Sequence, residues 1–265
     1  MLKHLVNILL ESAGLKLIKT ATYEQFKGDA SRSRALALSE TLDPSLLSEY
    51  LSAYQNSASQ LHQDLFVLSH LSFKRDGYFV EFGATDGISL SNTYLLEKFF
   101  NWNGILAEPA EVWHESLRHN RSSAIETCCI WAESGKTFLF NEVEGVSGKD
   151  HALSTLSMFN RSDNHKKKRK RGREYEVDTI SLIDLLKKYE APKRIDFLSI
   201  DTEGSEYEIL SNFDFDEYNI EIICVEHNYT DLRIKINRLL SHHGYKRLHP
   251  ELSLWDDWYV RESAV

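Results

Sequence analysis

The chain of 265 residues is 42% hydrophobic and 27% charged and has 12 glycines and 4 prolines, which excludes a fibrous or low-complexity protein. Its length fits one α/β domain of about 200 residues with an appendage. The net charge of −9 averages two unlike regions, because residues 165–173 hold seven of the 31 Lys and Arg residues. The other 24 basic residues face 40 acidic ones, or −16, and this distribution argues against a broad nucleic-acid-binding surface.

Three cysteines, of which Cys128 and Cys129 are adjacent, do not make a disulfide framework and are typical of a reducing cytoplasm, where we expect the protein to reside. No segment approaches the roughly 18 uninterrupted apolar residues that span a bilayer. Apolar residues at positions 2, 5, 6, 9 and 10 have helical spacing and predict a helix packed on the domain. Peripheral contact with the inner face of a membrane through residues 1–20 is the alternative.

The predicted elements change in character at Gly77. Before it the pattern is helical, with one helix beginning at Asp43-Pro44 and another covering 59–73. After it, short apolar runs alternate with amphipathic segments, which predicts βαβ units around a mostly parallel sheet. The predicted strands are 78–82, 104–107, 124–130, 195–200 and 220–225, and the predicted helices are 90–100, 110–119, 181–190, 205–212 and 230–242.

Two further features complete the predicted domain. Residues 244–248 and 258–261 have the pattern of a closing antiparallel hairpin. Between Trp131 and Asp178 lies an insertion with its own strand at 136–141 and with the basic run.

The segment YFVEFGATDG (78–87) carries the first candidate site. A buried strand runs into a turn with Gly83 and Gly87, and glycines there let the backbone approach a ligand closely. A nicotinamide-binding fold has G-x-G-x-x-G at this turn, whereas this chain has G-x-x-x-G flanked by Glu81 and Asp86. Carboxylates repel a pyrophosphate and attract a ligand with ammonium and sulfonium charges, such as S-adenosylmethionine. Helix capping is the alternative role of Asp86.

The next strand ends at Glu108, in GILAEP, 25 residues after Gly83. An acid at the end of the second strand is where a Rossmann-like fold binds ribose hydroxyls. Pro109 then begins the next helix. The alternative is a solvated acid at a strand end.

Acidic and polar side chains also follow two later strands. The segment LSIDTEGSE ends a strand with Asp201 and adds Glu203 and Glu206, and ICVEHN adds Glu226 and two polar neighbours, His227 and Asn228. Ligands of open α/β sheets bind at these carboxyl ends. Asp201, Glu226 and Asn228 are candidate ligands of Mg²⁺ or Mn²⁺, a hydrogen-bonding role without metal being equally open. His227 is a candidate general base.

Taken together, these residues resemble the FkbM-type methyltransferases over about residues 57–262. The motifs that carry the resemblance are SQLHQD, FVEFGATDGISLSNTYLLEK, GILAEP, VDTISLIDLL, FLSIDTEGSEYEIL and VEHN. The resemblance implies an S-adenosylmethionine-dependent enzyme that methylates a hydroxyl of a saccharide or glycosylated metabolite. It also implies a Rossmann-like fold with a mostly parallel seven-stranded sheet, in a domain over 57–265 that carries the insertion at about 142–176. Residues 1–56 would form an N-terminal helical extension.

The resemblance assigns candidate residues to three roles. The cofactor side comprises Gln63, Asp64, Glu81, Gly83, Ala84, Asp86, Gly87, Asn92, Thr93, Glu108 and Pro109, with Ser59, Gln60 and Ser91 beside them. The catalytic or acceptor side comprises Asp201, Glu203, Glu206 and His227. Trp255 and Trp258 are predicted as core residues, a sugar-stacking wall being the alternative.

The basic run KKKRKR (166–171) has three interpretations. It forms a solvated loop, it holds an anionic acceptor such as a phosphorylated or acidic saccharide, or it contacts nucleic acid. The chain has neither the Asn/Asp-Pro-Pro-aromatic turn nor the Pro-Cys pair of nucleic-acid base methylation. The alternatives to saccharide O-methylation are therefore an RNA ribose methyltransferase and a non-catalytic interaction module of the same fold.

Overall fold

The computed structural model describes residues 20–143, 151–162 and 164–262. The chain divides into two compact units between Leu42 and Asp43, whereas the predicted boundary lies at residue 56. The first unit contains helix α1 (Thr20–Ser39). The predicted helix and membrane contact of the first 19 residues lie outside the described residues. No helix among the described residues has the length and apolar content that crossing a bilayer demands.

The described part of the second unit alternates strands and helices as the sequence predicts. Its helices are α2 (Leu47–Tyr54), α3 (Gln63–His70), α4 (Tyr94–Phe100), α5 (His114–Asn120), α6 (Leu182–Lys188), α7 (Glu206–Ser211) and α8 (Leu232–His242). Its strands are β1 (Tyr78–Phe82), β2 (Asn103–Ala107), β3 (Ala124–Glu126), β4 (Cys129–Trp131), β5 (Thr137–Glu142), β6 (Thr155–Leu156), β7 (Arg173–Ser181), β8 (Arg194–Ile200), β9 (Asn219–Glu226), β10 (Tyr245–Leu248) and β11 (Asp256–Arg261).

The main sheet has seven strands in the order β10-β11-β9-β8-β1-β2-β3. Strand β11 pairs antiparallel with β9 and β10, and the other pairs are parallel. This confirms the predicted α/β fold with a mostly parallel seven-stranded sheet and a C-terminal antiparallel hairpin. From β1 the chain adds β2 and β3 on one side of the sheet, and it later adds β8 and β9 on the other side. The switch point between β1 and β8 leaves a crevice at the carboxyl ends of the strands.

The central strands are apolar on both faces because helices cover them. The paired residues Val80 and Leu198 on one face and Phe79 and Phe197 on the other are all 0% exposed. Full burial of such side chains contributes roughly 1.5–3 kcal/mol each to folding. This rigid core fixes the strand ends that carry the candidate site.

A smaller sheet of four strands, in the order β4-β7-β5-β6, comes largely from the insertion. The predicted single strand 124–130 is wrong, since β3 belongs to the main sheet and β4 pairs with β7 in the smaller one. The physical reason is Glu126, whose Oε1 accepts hydrogen bonds from the amides of Thr127 (2.9 Å) and Cys128 (3.0 Å). Those amides are withdrawn from strand pairing, and the chain turns from one sheet to the other.

Two helices begin later than predicted, for local reasons. The helix predicted over 59–73 begins at Gln63, because His62 adopts a left-handed conformation with φ 65°. The helix predicted over 90–100 begins at Tyr94. The preceding residues 91–93 instead direct hydrogen bonds to Glu81, which brings them to the carboxyl end of β1.

Candidate active site

A cleft of about 1030 Å³, including its open mouth, lies at the carboxyl ends of β1, β2, β8 and β9. Among the residues that the structure describes, six acidic ones line it, namely Glu81, Glu108, Asp201, Glu203, Glu226 and Asp256. None of the described residues that line it is Lys or Arg. The cleft therefore favours a cationic ligand.

Gly83 follows β1 in the lining of the cleft and lies against Asp201, which follows β8. Its φ is 75°, and an added Cβ would lie 2.2 Å from the carbonyl oxygen of Asp201. Glycine is therefore required here by the packing of two strands. Gly83 and Thr85 line the cleft, whereas Ala84 is buried behind them and does not.

Glu81 is 3% exposed and organises the loop after β1. Its carboxylate accepts hydrogen bonds from Ser91 Oγ (3.0 Å), Thr93 Oγ1 (2.5 Å) and the amide of Asn92 (2.6 Å). The Asn92 side chain donates to Ser199 Oγ at 2.9 Å, on β8. Glu81 and Asn92 line the cleft, whereas Thr93 lies outside its lining.

Arg121 is a buried residue that the sequence analysis missed. Its guanidinium donates to the carbonyl of Gly87 (3.0 Å) and to Glu97 (2.8 Å), and lies 3.7 Å from Glu81. A Cβ on Gly87 would lie 2.6 Å from Arg121 Cγ. The lack of a side chain at Gly87 thus leaves room for Arg121. The sequence predicts Gly87 on the cofactor side, but Gly87 does not line the cleft.

Asp86 closes the turn after β1. Its carboxylate accepts hydrogen bonds from the amides of Ile88 (2.8 Å) and Ser89 (2.7 Å) and from Ser89 Oγ (2.8 Å). Asp86 does not line the cleft. The structure therefore gives this residue the local capping role that was the alternative interpretation.

Glu108, at the end of β2, lies in the cleft as predicted, together with Pro109. One carboxyl oxygen accepts from the Thr85 amide (2.8 Å) and the other from the Ala110 amide (2.8 Å). Burial disfavours the charged form and raises the pKa of Glu108 to about 7. Each oxygen keeps a lone pair for a ligand hydroxyl.

The start of α3 closes another side of the cleft through Gln60 and Gln63. Gln63 Nε2 donates to Asp256 Oδ2 at 2.8 Å, and Trp258 Nε1 donates to the same oxygen at 3.2 Å. Burial raises the pKa of Asp256, which the sequence analysis missed, to about 8. Asp64 does not line the cleft. It is fully buried and accepts from Ser57 Oγ at 2.8 Å, and burial raises its pKa to about 7.

Asp201 and Glu226 form a carboxyl pair at the ends of β8 and β9. Burial, together with the charges of Glu206 and Glu81, raises the pKa of Asp201 to about 7. Burial and the neighbouring Asp201 carboxylate raise the pKa of Glu226 well above its usual range. Since two adjacent buried carboxyls do not both ionise readily, the pair holds a shared proton near neutral pH.

Glu203 lies beside this pair and is held by two donors. Arg169 Nη2 donates to its Oε2 at 2.7 Å, and Asn228 Nδ2 donates to the same oxygen at 3.2 Å and to Glu226 at 2.6 Å. Carboxylate oxygens of Asp201, Glu203 and Glu226 lie within 4.8 Å of one another, close enough to hold a cation. Asn228 directs its amide N–H group toward the carboxylates, so it supports them and is not itself a ligand in this arrangement.

Two residues predicted on the catalytic side lie outside the cleft lining. Glu206 accepts hydrogen bonds from the amides of Thr202 (3.1 Å) and Gly204 (2.9 Å), and so fixes the loop after β8. His227 is buried, and its Nδ1 accepts from the Tyr229 amide at 3.0 Å while its Nε2 lies 3.8 Å from Asp257. Burial lowers the pKa of His227. Glu226 and not His227 lines the cleft, so the role of His227 as general base stays a prediction.

Comparison with known families agrees with this geometry. The methyltransferase FkbM domain matches residues 81–247, which is more than half of the chain. The chain belongs to the FkbM methyltransferase family. The matched segment includes the ends of β1, β2, β8 and β9 that build the cleft. The family membership inferred from the sequence is thus confirmed.

Among solved structures, the chain is similar to the precorrin-6y C5,15-methyltransferase from Geobacter metallireducens GS-15. The two share 14% identity over 70% of this chain and 71% of that chain, with a TM-score of 0.35. No curated protein sequence matches the chain.

The outer wall of this FkbM domain comes from the insertion and from two tryptophans. Phe140, His151 and Ser154 line the cleft from the smaller sheet and its connections. Trp113 also lines it and meets His151 edge-to-face, with ring centroids 5.8 Å apart. Trp255 lines the cleft, whereas Trp258 is fully buried and stacks on Phe66, so the core interpretation fits only Trp258.

Proposed function

We propose that the protein is an S-adenosylmethionine-dependent O-methyltransferase that acts on a hydroxyl of a saccharide or glycosylated metabolite. The observation that carries the proposal is the Asp201–Glu226 pair, a proton acceptor poised near neutral pH in an acidic cleft at the switch point of the sheet. Family membership supports methyl transfer. The donor and the oxygen acceptor are inferred from the chemistry of the residues.

The residues of the cleft fit a cationic methyl donor. When bound, S-adenosylmethionine supplies a methyl group activated by its sulfonium charge. Six carboxyl groups in a lining with no described Lys or Arg complement its sulfonium and ammonium groups. Glu108 is placed to accept hydrogen bonds from ribose hydroxyls at the end of β2. Gln60, Asn92 and the turn at Gly83 complete the wall on that side.

The Asp201–Glu226 pair supplies the proton acceptor. A carboxyl whose pKa lies near 7 is ionised in a large fraction of molecules at neutral pH and is still basic enough to take a proton from a hydroxyl as it attacks. Glu203 is held by Arg169 and keeps a negative charge beside the pair. This charge favours the protonated form of Glu226. General base catalysis of this kind contributes about 10²–10⁴-fold to the rate.

The outer wall supports a polyhydroxylated acceptor. Trp113 and Trp255 line the cleft together with the polar side chains of His151 and Ser154. A mixture of aromatic faces and a few polar groups orients a ligand that has both apolar ring faces and hydroxyls. A saccharide ring has this character.

A divalent cation at Asp201, Glu203 and Glu226 is a second arrangement, favoured by the convergence of their oxygens within 4.8 Å. Mg²⁺ or Mn²⁺ there would lower the pKa of a bound hydroxyl. The Arg169 guanidinium already places a positive charge 2.7 Å from Glu203, so the Asp201–Glu226 pair acts as base without requiring the ion.

The deciding experiment compares Asp201→Asn and Glu226→Gln with the wild type, with the exposed Asp216→Asn as control. We expect Asp201→Asn to lower turnover in a cofactor-consumption screen against saccharides by about 10²–10⁴-fold, with cofactor binding in calorimetry retained. Full turnover in both cleft variants would refute the base. Failure of the wild type to bind the cofactor or its demethylated product would favour a non-catalytic module.

We also infer a reducing, cytoplasmic location. The three cysteines, Cys128, Cys129 and Cys224, are free thiols. Free buried thiols are ordinary in the reducing cytosol. Fractionation of cells that express the protein tests this inference, and secretion would contradict it.

A further inference from the structure

The basic segment 166–171 forms part of a folded surface next to the candidate active site. Two short 3₁₀ helices, Asn164–Lys167 and Arg169–Arg171, connect the region after β6 to β7. The carbonyl of Arg169 accepts from Asn141 Nδ2 at 2.8 Å, on β5. Gly172 then packs against β5 so closely that an added Cβ would lie 1.7 Å from Asn141 Oδ1. The segment is therefore attached to the smaller sheet.

Arg169 connects this segment to the cleft. Its side chain is fully buried and donates to the carbonyl of Leu153 (2.8 Å) and to Glu203 (2.7 Å). Glu203 lines the acidic cleft, and Arg169 lines a second cavity on the other side. The Arg169–Glu203 ion pair thus joins one residue of each lining.

This second cavity, which we call the cationic cavity, has a volume of about 1200 Å³ including its mouth. The basic residues in its lining are Arg161, Lys166, Lys167, Arg169 and Lys170. The one acid among the described residues of the lining, Glu174, accepts a hydrogen bond from Ser157 Oγ at 2.6 Å. Among the described residues, Lys166, Lys167 and Lys170 form no ion pair with a carboxylate. Their positive charges therefore repel one another until an anion binds.

We propose that the cationic cavity binds the phosphate or pyrophosphate group of the acceptor, which makes the acceptor a phosphorylated saccharide. This inference rests on the proposed function, because it places the anionic part of the acceptor beside the cleft that holds its hydroxyl. A phosphomonoester carries a charge of about −1.5 to −2 at neutral pH and has strong acceptor oxygens for Lys and Arg. A nucleic acid fits less well, because the rest of the chain, at 24 basic against 40 acidic residues, repels an extended polyanion.

The first test measures binding of inorganic pyrophosphate to the full-length protein by calorimetry. The triple variant Lys166→Gln/Lys167→Gln/Lys170→Gln is compared with Arg118→Gln/Arg238→Gln/Lys246→Gln, which removes the same charge from exposed positions outside the cavity. We expect about tenfold weaker binding in the first triple variant and unchanged binding in the second. Equal affinity in all three proteins, or no binding to the wild type, would overturn the proposal.

The second test uses methyl transfer to a saccharide and to its phosphate ester. We expect the ratio of kcat/KM for the ester to that for the free saccharide to fall about tenfold in the cavity variant and to stay constant in the control. An unchanged ratio in the cavity variant overturns the inference. If no hydroxyl acceptor is methylated at all, the proposed function fails. The pyrophosphate titration then still tests whether the cationic cavity binds an anion. If single-stranded RNA displaces pyrophosphate at concentrations far below that of pyrophosphate, the cationic cavity binds nucleic acid instead.

Discussion

Replacing Asp256 by asparagine tests whether this carboxyl of the cleft is held neutral in the folded chain. Asp256 begins β11, is 5% exposed, and accepts hydrogen bonds from Gln63 Nε2 (2.8 Å) and Trp258 Nε1 (3.2 Å). An asparagine oxygen can accept both bonds, so Asp256→Asn removes the ionisation with little change in shape.

The expected magnitude follows from the difference between the folded and unfolded pKa. The pKa of Asp256 is about 8 in the folded chain, whereas its ordinary value is 3.8. Between these values the folded carboxyl keeps a proton that the unfolded one has lost, so this group's contribution to stability falls as pH rises. The free energy of unfolding of the wild type should therefore fall, relative to Asp256→Asn, by about 1.4 kcal/mol per pH unit, or about 4 kcal/mol from pH 5 to pH 8.

Urea unfolding of the wild type and Asp256→Asn at pH 5, 6, 7 and 8 measures this difference, provided the slopes with urea concentration agree. The exposed Asp216→Asn serves as the control and should show no such trend. A difference between wild type and Asp256→Asn that stays constant from pH 5 to pH 8 would show that Asp256 is ionised in the folded chain, and the account of the cleft would be wrong.

Three other substitutions or treatments have defined outcomes. Gly83→Ala should lower the free energy of unfolding by at least about 1–3 kcal/mol in urea titrations, because of its φ of 75° and the contact with the Asp201 carbonyl; wild-type stability would contradict this. Arg121→Gln should lower the free energy of unfolding by about 3–5 kcal/mol, since it removes the buried cation 3.7 Å from the buried Glu81, and a loss below 1 kcal/mol would show that this pair contributes little. Exhaustive chelation should leave turnover unchanged, because Arg169 already balances Glu203, whereas loss restored by Mg²⁺ or Mn²⁺ would establish a metal at the pair.

The main sheet was predictable because its central strands are buried on both faces and therefore read as largely apolar runs, as in residues 195–200, where Asp196 and Ser199 interrupt four apolar residues. The break between β3 and β4 was not, since the run 124–130 is equally apolar on both sides of it. What ends β3 is a side-chain hydrogen bond from two amides to Glu126, and the pattern of apolar residues contains no trace of it.

The candidate site was predictable where strand ends fix the position of a side chain, as for Glu108 and Asp201. The direction in which a side chain points from a strand end was harder to predict. Neighbouring residues at a strand end point to opposite faces, which is why Glu226 lines the cleft and His227 does not. Asp256 was missed because it begins an antiparallel strand, and β11 brings its first residue to the edge where the parallel strands end.

The raised pKa values of Glu108, Asp201 and Asp256 also affect the heat that accompanies ligand binding. These groups hold protons near neutral pH, and a cation that enters the cleft lowers their pKa. A cationic donor that binds then replaces protons on these carboxyl groups, and the protons are released to the solution. The enthalpy observed by calorimetry will vary with the ionisation enthalpy of the buffer, and the slope of that dependence counts the protons released.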